Sequence, residues 1–179
     1  MEALPPARRV VTAIDEHGQS YIAEDGPSPA TIGFPGGPYR NANFWRTHAM
    51  PSAIEAPDDI AGHKGVLPPR HGTVLRVIDF PPQADTPEER AAIARAVFAA
   101  IYPDAIHHAD SGRSATMHTT DTIDYAIVLQ GEIVAVMDRD ETLLKAGDIL
   151  IQRGTAHGWE NRSGAMARVA FVLIDAQRG

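Results

Sequence analysis

The sequence predicts an all-β fold, a closed barrel or a sandwich, with one inserted helix. Three observations support this. Glycine and proline are plentiful, 15 and 14 of 179 residues, and cut the chain into short pieces. Only one stretch carries helical periodicity. The last third holds closely spaced short runs of strand-forming residues, the pattern of a sandwich or barrel.

Arg8–Ile14 and Ser20–Ala23 flank the turn signal Asp15-Glu16-His17-Gly18 and read as a hairpin. Asn43–His48 and Thr73–Phe80 follow as strands, separated by a proline-rich, charged connection. Thr86-Pro87-Glu88-Glu89 supplies an N-cap, a proline at the first helical position and acidic residues in the first turn. Ala92, Ile93, Ala96, Val97, Ala100 and Ile101 then recur at helical spacing until Pro103, which predicts a helix over 87–101. Strands are expected at 122–130, 132–138, 142–144, 149–152, 156–161 and 166–175, broken at Gly131, Arg139-Asp140-Glu141, Ala146-Gly147-Asp148, Arg153-Gly154 and Arg162-Ser163-Gly164. Ile133 to Met137 is apolar on both parities, so both faces of that strand are expected to be covered.

The chain shows no internal repeat and no linker, and reads as a single domain over 1–179, with residues 1–65 as a strand-containing arm. Exposed strands in such an arm invite pairing with a second subunit, so a homodimer is expected. The formal charge of −7 and the scattered basic residues disfavour nucleic acid and anionic membranes as partners. Cysteine is absent, which excludes disulfides and thiol nucleophiles. No run approaches the ~18 consecutive apolar residues of a membrane helix. Met1-Glu2-Ala3-Leu4-Pro5-Pro6 lacks the features of a signal peptide, so a cytoplasmic location is expected. The nucleophile elbow, phosphate loop and dinucleotide fingerprint are all missing.

The strongest signal lies between Gly112 and Asn161. Gly112 is followed after five residues by His118, then Thr119, Thr120, Asp124 after three more, and Gly131 after six more. Further on stand Gly147, Gln152, Gly154, His157 and Asn161, after a short intervening segment over 132–146. This arrangement resembles the two conserved motifs of the cupin superfamily, G-x5-H-x-H-x3-E-x6-G and G-x5-P-x-G-x2-H-x3-N. Thr120 stands where the motif has a second histidine, Asp124 where it has glutamate, and Gln152 replaces the proline one residue closer to Gly147. The tail through Ala170-Phe171-Val172-Leu173-Ile174-Asp175 is similar to a branch of small cupins of largely unassigned function.

The resemblance implies a jelly-roll-like antiparallel β-barrel, with conserved motifs over about 112–175. It also implies a metal site formed by His118, Asp124 and His157. Two histidines and a carboxylate suit iron, manganese or nickel, with zinc as a further candidate, and leave positions open for substrate. Along 122–130, Asp124, Ala126 and Val128 share one face, which would set the carboxylate above small apolar groups. The leading expectation is a metal-assisted enzyme acting on a small organic molecule as a dioxygenase, decarboxylase or isomerase. Thr120 or an unbound histidine would then handle protons. The alternative is a metal-free, non-catalytic cupin that binds a small ligand, with Asp124 hydrogen-bonded to Thr120 or Thr122. Asn161 and Gly154 are expected to form turns. Arg76, within Val74-Leu75-Arg76-Val77-Ile78, is expected to face solvent from an edge strand, against the competing reading that it meets a substrate carboxylate. His107 and His108 are expected in a polar loop and Tyr125 in packing, whereas Trp159 suits a pocket wall or packing and Trp45 a pocket roof or a subunit interface.

Overall fold

The computed structural model describes residues 3–33 and 37–179. It places β1 (Arg8–Ile14), β2 (Ser20–Pro27), β3 (Ala30–Gly33), β4 (Arg40–Thr47) and β5 (Thr73–Phe80) before the single α-helix, α1 (Pro87–Ile101). After it come β6 (Ile106–His107), β7 (His118–Thr119), β8 (Thr122–Gln130), β9 (Glu132–Met137), β10 (Glu141–Lys145), β11 (Ile149–Arg153), β12 (His157–Glu160) and β13 (Ala167–Asp175). A six-stranded sheet runs β11-β8-β13-β5-β4-β3, and a five-stranded sheet runs β10-β9-β12-β7-β6. The pairings within both are antiparallel.

The two sheets close on one core. Val74, Ile78, Ala126, Val128, Val169 and Phe171 from the larger sheet meet Ile133, Ala135 and Trp159 from the smaller. Alternation does this directly: in β8 Thr122, Asp124, Ala126 and Val128 are buried, while Ile123, Tyr125 and Leu129 are exposed. Tyr125 therefore neither packs nor walls the interior, contrary to expectation. β9 is covered on both faces as its sequence predicts, Ile133 and Ala135 facing the main core while Val134 and Val136 pack with Met117. Gly131 makes the sharp turn between β8 and β9 at φ +71, and a Cβ there would sit 2.7 Å from the Met166 carbonyl oxygen.

Helix α1 occupies the predicted span. The Thr86 hydroxyl accepts from the Glu89 amide at 3.2 Å, and Pro87 opens the first turn. Its buried face is Ala94, Val97, Phe98 and Ile101, whereas Ile93 is exposed. This shifts the expected stripe, because alanines surround the helix and Phe98, its largest side chain, turns inward.

The expected arm divides in two. The β1–β2 hairpin stands as its own two-stranded sheet and exposes Val10, Ile14, Tyr21 and Ile22. Strands β3 and β4 instead extend the large sheet, so β5 lies inside it rather than at an edge. A charged row crosses that sheet: Arg168 and Arg40 flank Asp79 on the neighbouring strands. Asp79 is 2% exposed and accepts from Arg168 Nε at 2.6 Å and Arg40 Nη2 at 2.5 Å. The same guanidiniums donate to the Leu4 and Pro5 carbonyls, tying the N-terminal segment to the sheet.

Candidate functional site

Strands β7 and β12 pair so that His118 and His157 are direct cross-strand neighbours, which sets both imidazoles on one face of the small sheet. Their ring centroids lie 4.2 Å apart. The Nδ1 of His118 donates to the Thr116 carbonyl at 2.9 Å, and that of His157 lies 3.0 Å from the Thr155 carbonyl. A carbonyl only accepts, so in His118 the proton sits on Nδ1 and the lone pair on Nε2, whereas His157 Nδ1 has both the Thr155 carbonyl and, at 2.9 Å, the Gln152 side-chain amide nitrogen beside it. Burial holds His157 down to about 4, and burial together with the neighbouring His157 holds His118 down to about 3. Both imidazoles are neutral at physiological pH.

Gln152, in the place of the motif's proline, braces this arrangement. Its Oε1 accepts from the Gly154 amide at 2.7 Å and its Nε2 donates to the Thr155 carbonyl at 3.1 Å, beside the His157 ring. The side-chain amide thus fixes the turn that carries His157. Asn161 has the expected turn role, its Nδ2 donating to the Phe80 and Ala165 carbonyls.

The two histidines open onto a cavity of about 200 Å³ lined mostly by apolar side chains. Helix α1 supplies one wall through Val97 and Phe98, and Trp159 and Phe171 supply another. Tyr39 and Tyr102 also line it, their hydroxyls 2.6 Å apart. Asp124 and Arg76 face it from the large sheet. Burial pushes the Asp124 carboxyl up to about 6, against the pull of the Thr122 hydroxyl and the Arg76 charge, and its Oδ1 has no hydrogen-bond partner.

The predicted site residues therefore separate. His118 and His157 come together, and Asp124 reaches the same cavity. Among the described residues, however, no three His, Asp or Glu side chains form a group that could hold a metal ion. Asp124 stands on the opposite sheet, on a side chain one methylene shorter than the motif's glutamate. The described residues fit two neutral imidazole ligands of a metal, with Asp124 lining the same cavity. Thr120 lies elsewhere. It is buried outside the cavity lining, and its hydroxyl bonds that of Thr122 at 2.7 Å.

Sequence reasoning misplaced Arg76. It is 1% exposed, not solvent-facing. Its parity with Val74 and Ile78, both buried, is the signal that finds it. His107 is likewise no loop residue: it pairs with His118 across β6 and β7 and stacks on Phe98 at 4.1 Å. Trp45 lies under the Arg9 guanidinium, away from the cavity.

A family model described as "Cupin domain" matches residues 105–174. The chain is also 31% identical to "Phomopsin biosynthesis cluster protein C'" of Diaporthe leptostromiformis over 177 residues, covering 94% of this chain and 78% of that one. This chain belongs to the cupins. The cupin is also 28% identical to "Cupin-domain-containing oxidoreductase srdD" of Neurospora crassa over 141 residues, which is 75% of this chain and 57% of that one. A relative of Hypocrea virens, "Cupin-domain-containing oxidoreductase virC", is 27% identical over 75% of this chain and 58% of its own. The cupin thus spans little more than half the length of the relatives named as oxidoreductases. Among solved structures, a Cupin 2 conserved barrel domain protein from Salinispora arenicola CNS-205 aligns with a TM-score of 0.42 at 13% identity, over 78% of this chain and 77% of that one. In the described part of the cupin no helix is long and apolar enough to cross a membrane.

Proposed function

We propose that this cupin is an enzyme acting on a small organic molecule, with a divalent transition metal (iron, manganese, nickel or zinc) held by His118 and His157. The observation that carries this reading is the pair of neutral, cross-strand imidazoles lining one apolar cavity, with His118 anchored through Nδ1 to the Thr116 carbonyl. Anchoring of one ring nitrogen by a carbonyl is how metal-binding histidines are held in orientation. The two relatives named as cupin-domain-containing oxidoreductases support an oxidoreductase reaction. Such an ion supplies Lewis acidity and, where iron or manganese is bound, redox capacity.

The protein's own contribution is positional and electrostatic. The walls formed by Phe98, Trp159 and Phe171 exclude water and strengthen every polar interaction inside. Asp124, with an unpartnered oxygen and a carboxyl raised to about 6, is the group suited to hold or pass a proton. It takes the role expected of Thr120.

A second reading, a metal-free ligand-binding cupin, draws its support from Asp124 standing apart from the histidines. Metal analysis separates the two. Protein purified without chelator is expected to carry a stoichiometric transition metal, and His118→Ala is expected to lose it. No such metal in the parent protein, or unchanged content in the variant, overturns the proposal.

A further inference from the structure

We propose that the cavity takes a small monocarboxylic acid with an aromatic or similarly apolar body, and that Arg76 binds its carboxylate. This rests on the reading of the cavity as a substrate site and names the class of molecule it receives.

Arg76 lies in the middle of β5, fully inside the large sheet, and its guanidinium stays charged when buried. Its hydrogen-bond partners are all neutral. Nη2 donates to the Val66 carbonyl at 2.7 Å, Nη1 reaches the Gly65 carbonyl at 3.4 Å, and His63 Nε2 lies 3.4 Å from Nη2. The Tyr102 ring lies 5.8 Å beneath it. Nε has no partner. A buried cation that hydrogen-bonds only neutral groups, with the Asp104 and Asp124 carboxylates acting on it through space alone, is costly, and a carboxylate entering beside it offsets that cost. The planar fork of a guanidinium matches the two oxygens of a carboxylate, which a neutral carbonyl cannot reproduce.

The rest of the cavity narrows the ligand further. Phe80, Phe98, Trp159 and Phe171 offer ring faces and edges to an apolar body. Asp124 supplies a second buried polar atom without a partner, its Oδ1, an acceptor for a hydroxyl or amine on the ligand. A second carboxylate would meet Asp124 as a like charge, so one acid group is the limit.

Benzoate and its neutral isostere benzamide test this on the full chain, by calorimetric titration of protein both as purified and after chelator treatment. Benzoate is expected to bind at least about tenfold more tightly than benzamide in both preparations. Arg76→Met is expected to erase that preference and Arg76→Lys to keep part of it. Equal binding of the two probes, no binding of benzoate, or an unchanged preference in Arg76→Met overturns the inference. The comparison in the parent protein stands even where a variant fails to fold. Benzoate binding that disappears on chelation also overturns it, because the carboxylate would then sit on a metal. A preference that persists in protein found to lack metal supports Arg76 while the metal reading alone fails.

Discussion

Acidification of the chelator-treated protein from pH 7 to about pH 4.5 is expected to remove roughly 5 kcal/mol of its stability. His63, His118 and His157 are held at about 4, 3 and 4 in the folded protein, in each case chiefly by burial. In the unfolded chain each takes its proton near pH ~6.5. Below that pH the unfolded state binds more protons than the folded one, so stability is present above pH ~6.5 and falls with pH. Each imidazole contributes about 1.4 kcal/mol per pH unit until its folded value is reached. Asp124 works in the opposite sense, because its raised value lets the folded state hold a proton that the unfolded chain gives up. It cancels about one imidazole between pH ~6 and ~4, leaving a net loss of roughly 3 kcal/mol per pH unit. Against a total stability of about 5–15 kcal/mol, that slope brings unfolding within reach before pH ~4. Urea midpoints measured at intervals from pH 7 downward check this. A midpoint that stays flat to pH 4.5 contradicts the buried, neutral state of these histidines.

Replacing Asp79 by alanine is expected to cost about 3–5 kcal/mol, the range for breaking a buried ion pair from one side. The carboxylate joins Arg168 on β13 to Arg40 on β4 across β5, and is 2% exposed. Its loss leaves two guanidiniums against one another with no counter-charge, and also loosens their hold on the Leu4 and Pro5 carbonyls. For a chain of this size the loss corresponds to a fall in melting temperature of roughly 10 °C. Thermal unfolding at pH 7 measures it. A shift below about 2 °C would mean that the row adds nothing beyond an exposed surface pair.

Much of this architecture was legible in the residues, and the reasons it was not legible elsewhere are specific. The helix was marked at both ends by Thr86-Pro87 and Pro103, and β8 through β13 by alternation and turn glycines. Strands β6 and β7 span two residues each, too few for any periodicity to register, and so His107 was not seen beside His118. β3 and β4 looked like an arm because a strand's sheet partners are set by long-range pairing, which local pattern does not encode. That error alone put β5 at an edge and Arg76 in solvent. At the site, motif spacing and strand alternation direct both histidines and Asp124 to one cavity. Spacing fixes where a residue lies on its strand, not how far its side chain reaches across a barrel.

The histidine pair carries the account, and anomalous diffraction tests it most directly. Crystals of protein loaded with cobalt or zinc, measured across the metal's absorption edge, are predicted to show a peak about 2.1 Å from Nε2 of both His118 and His157. A peak elsewhere in the molecule, or none at this pair under full loading, would contradict it.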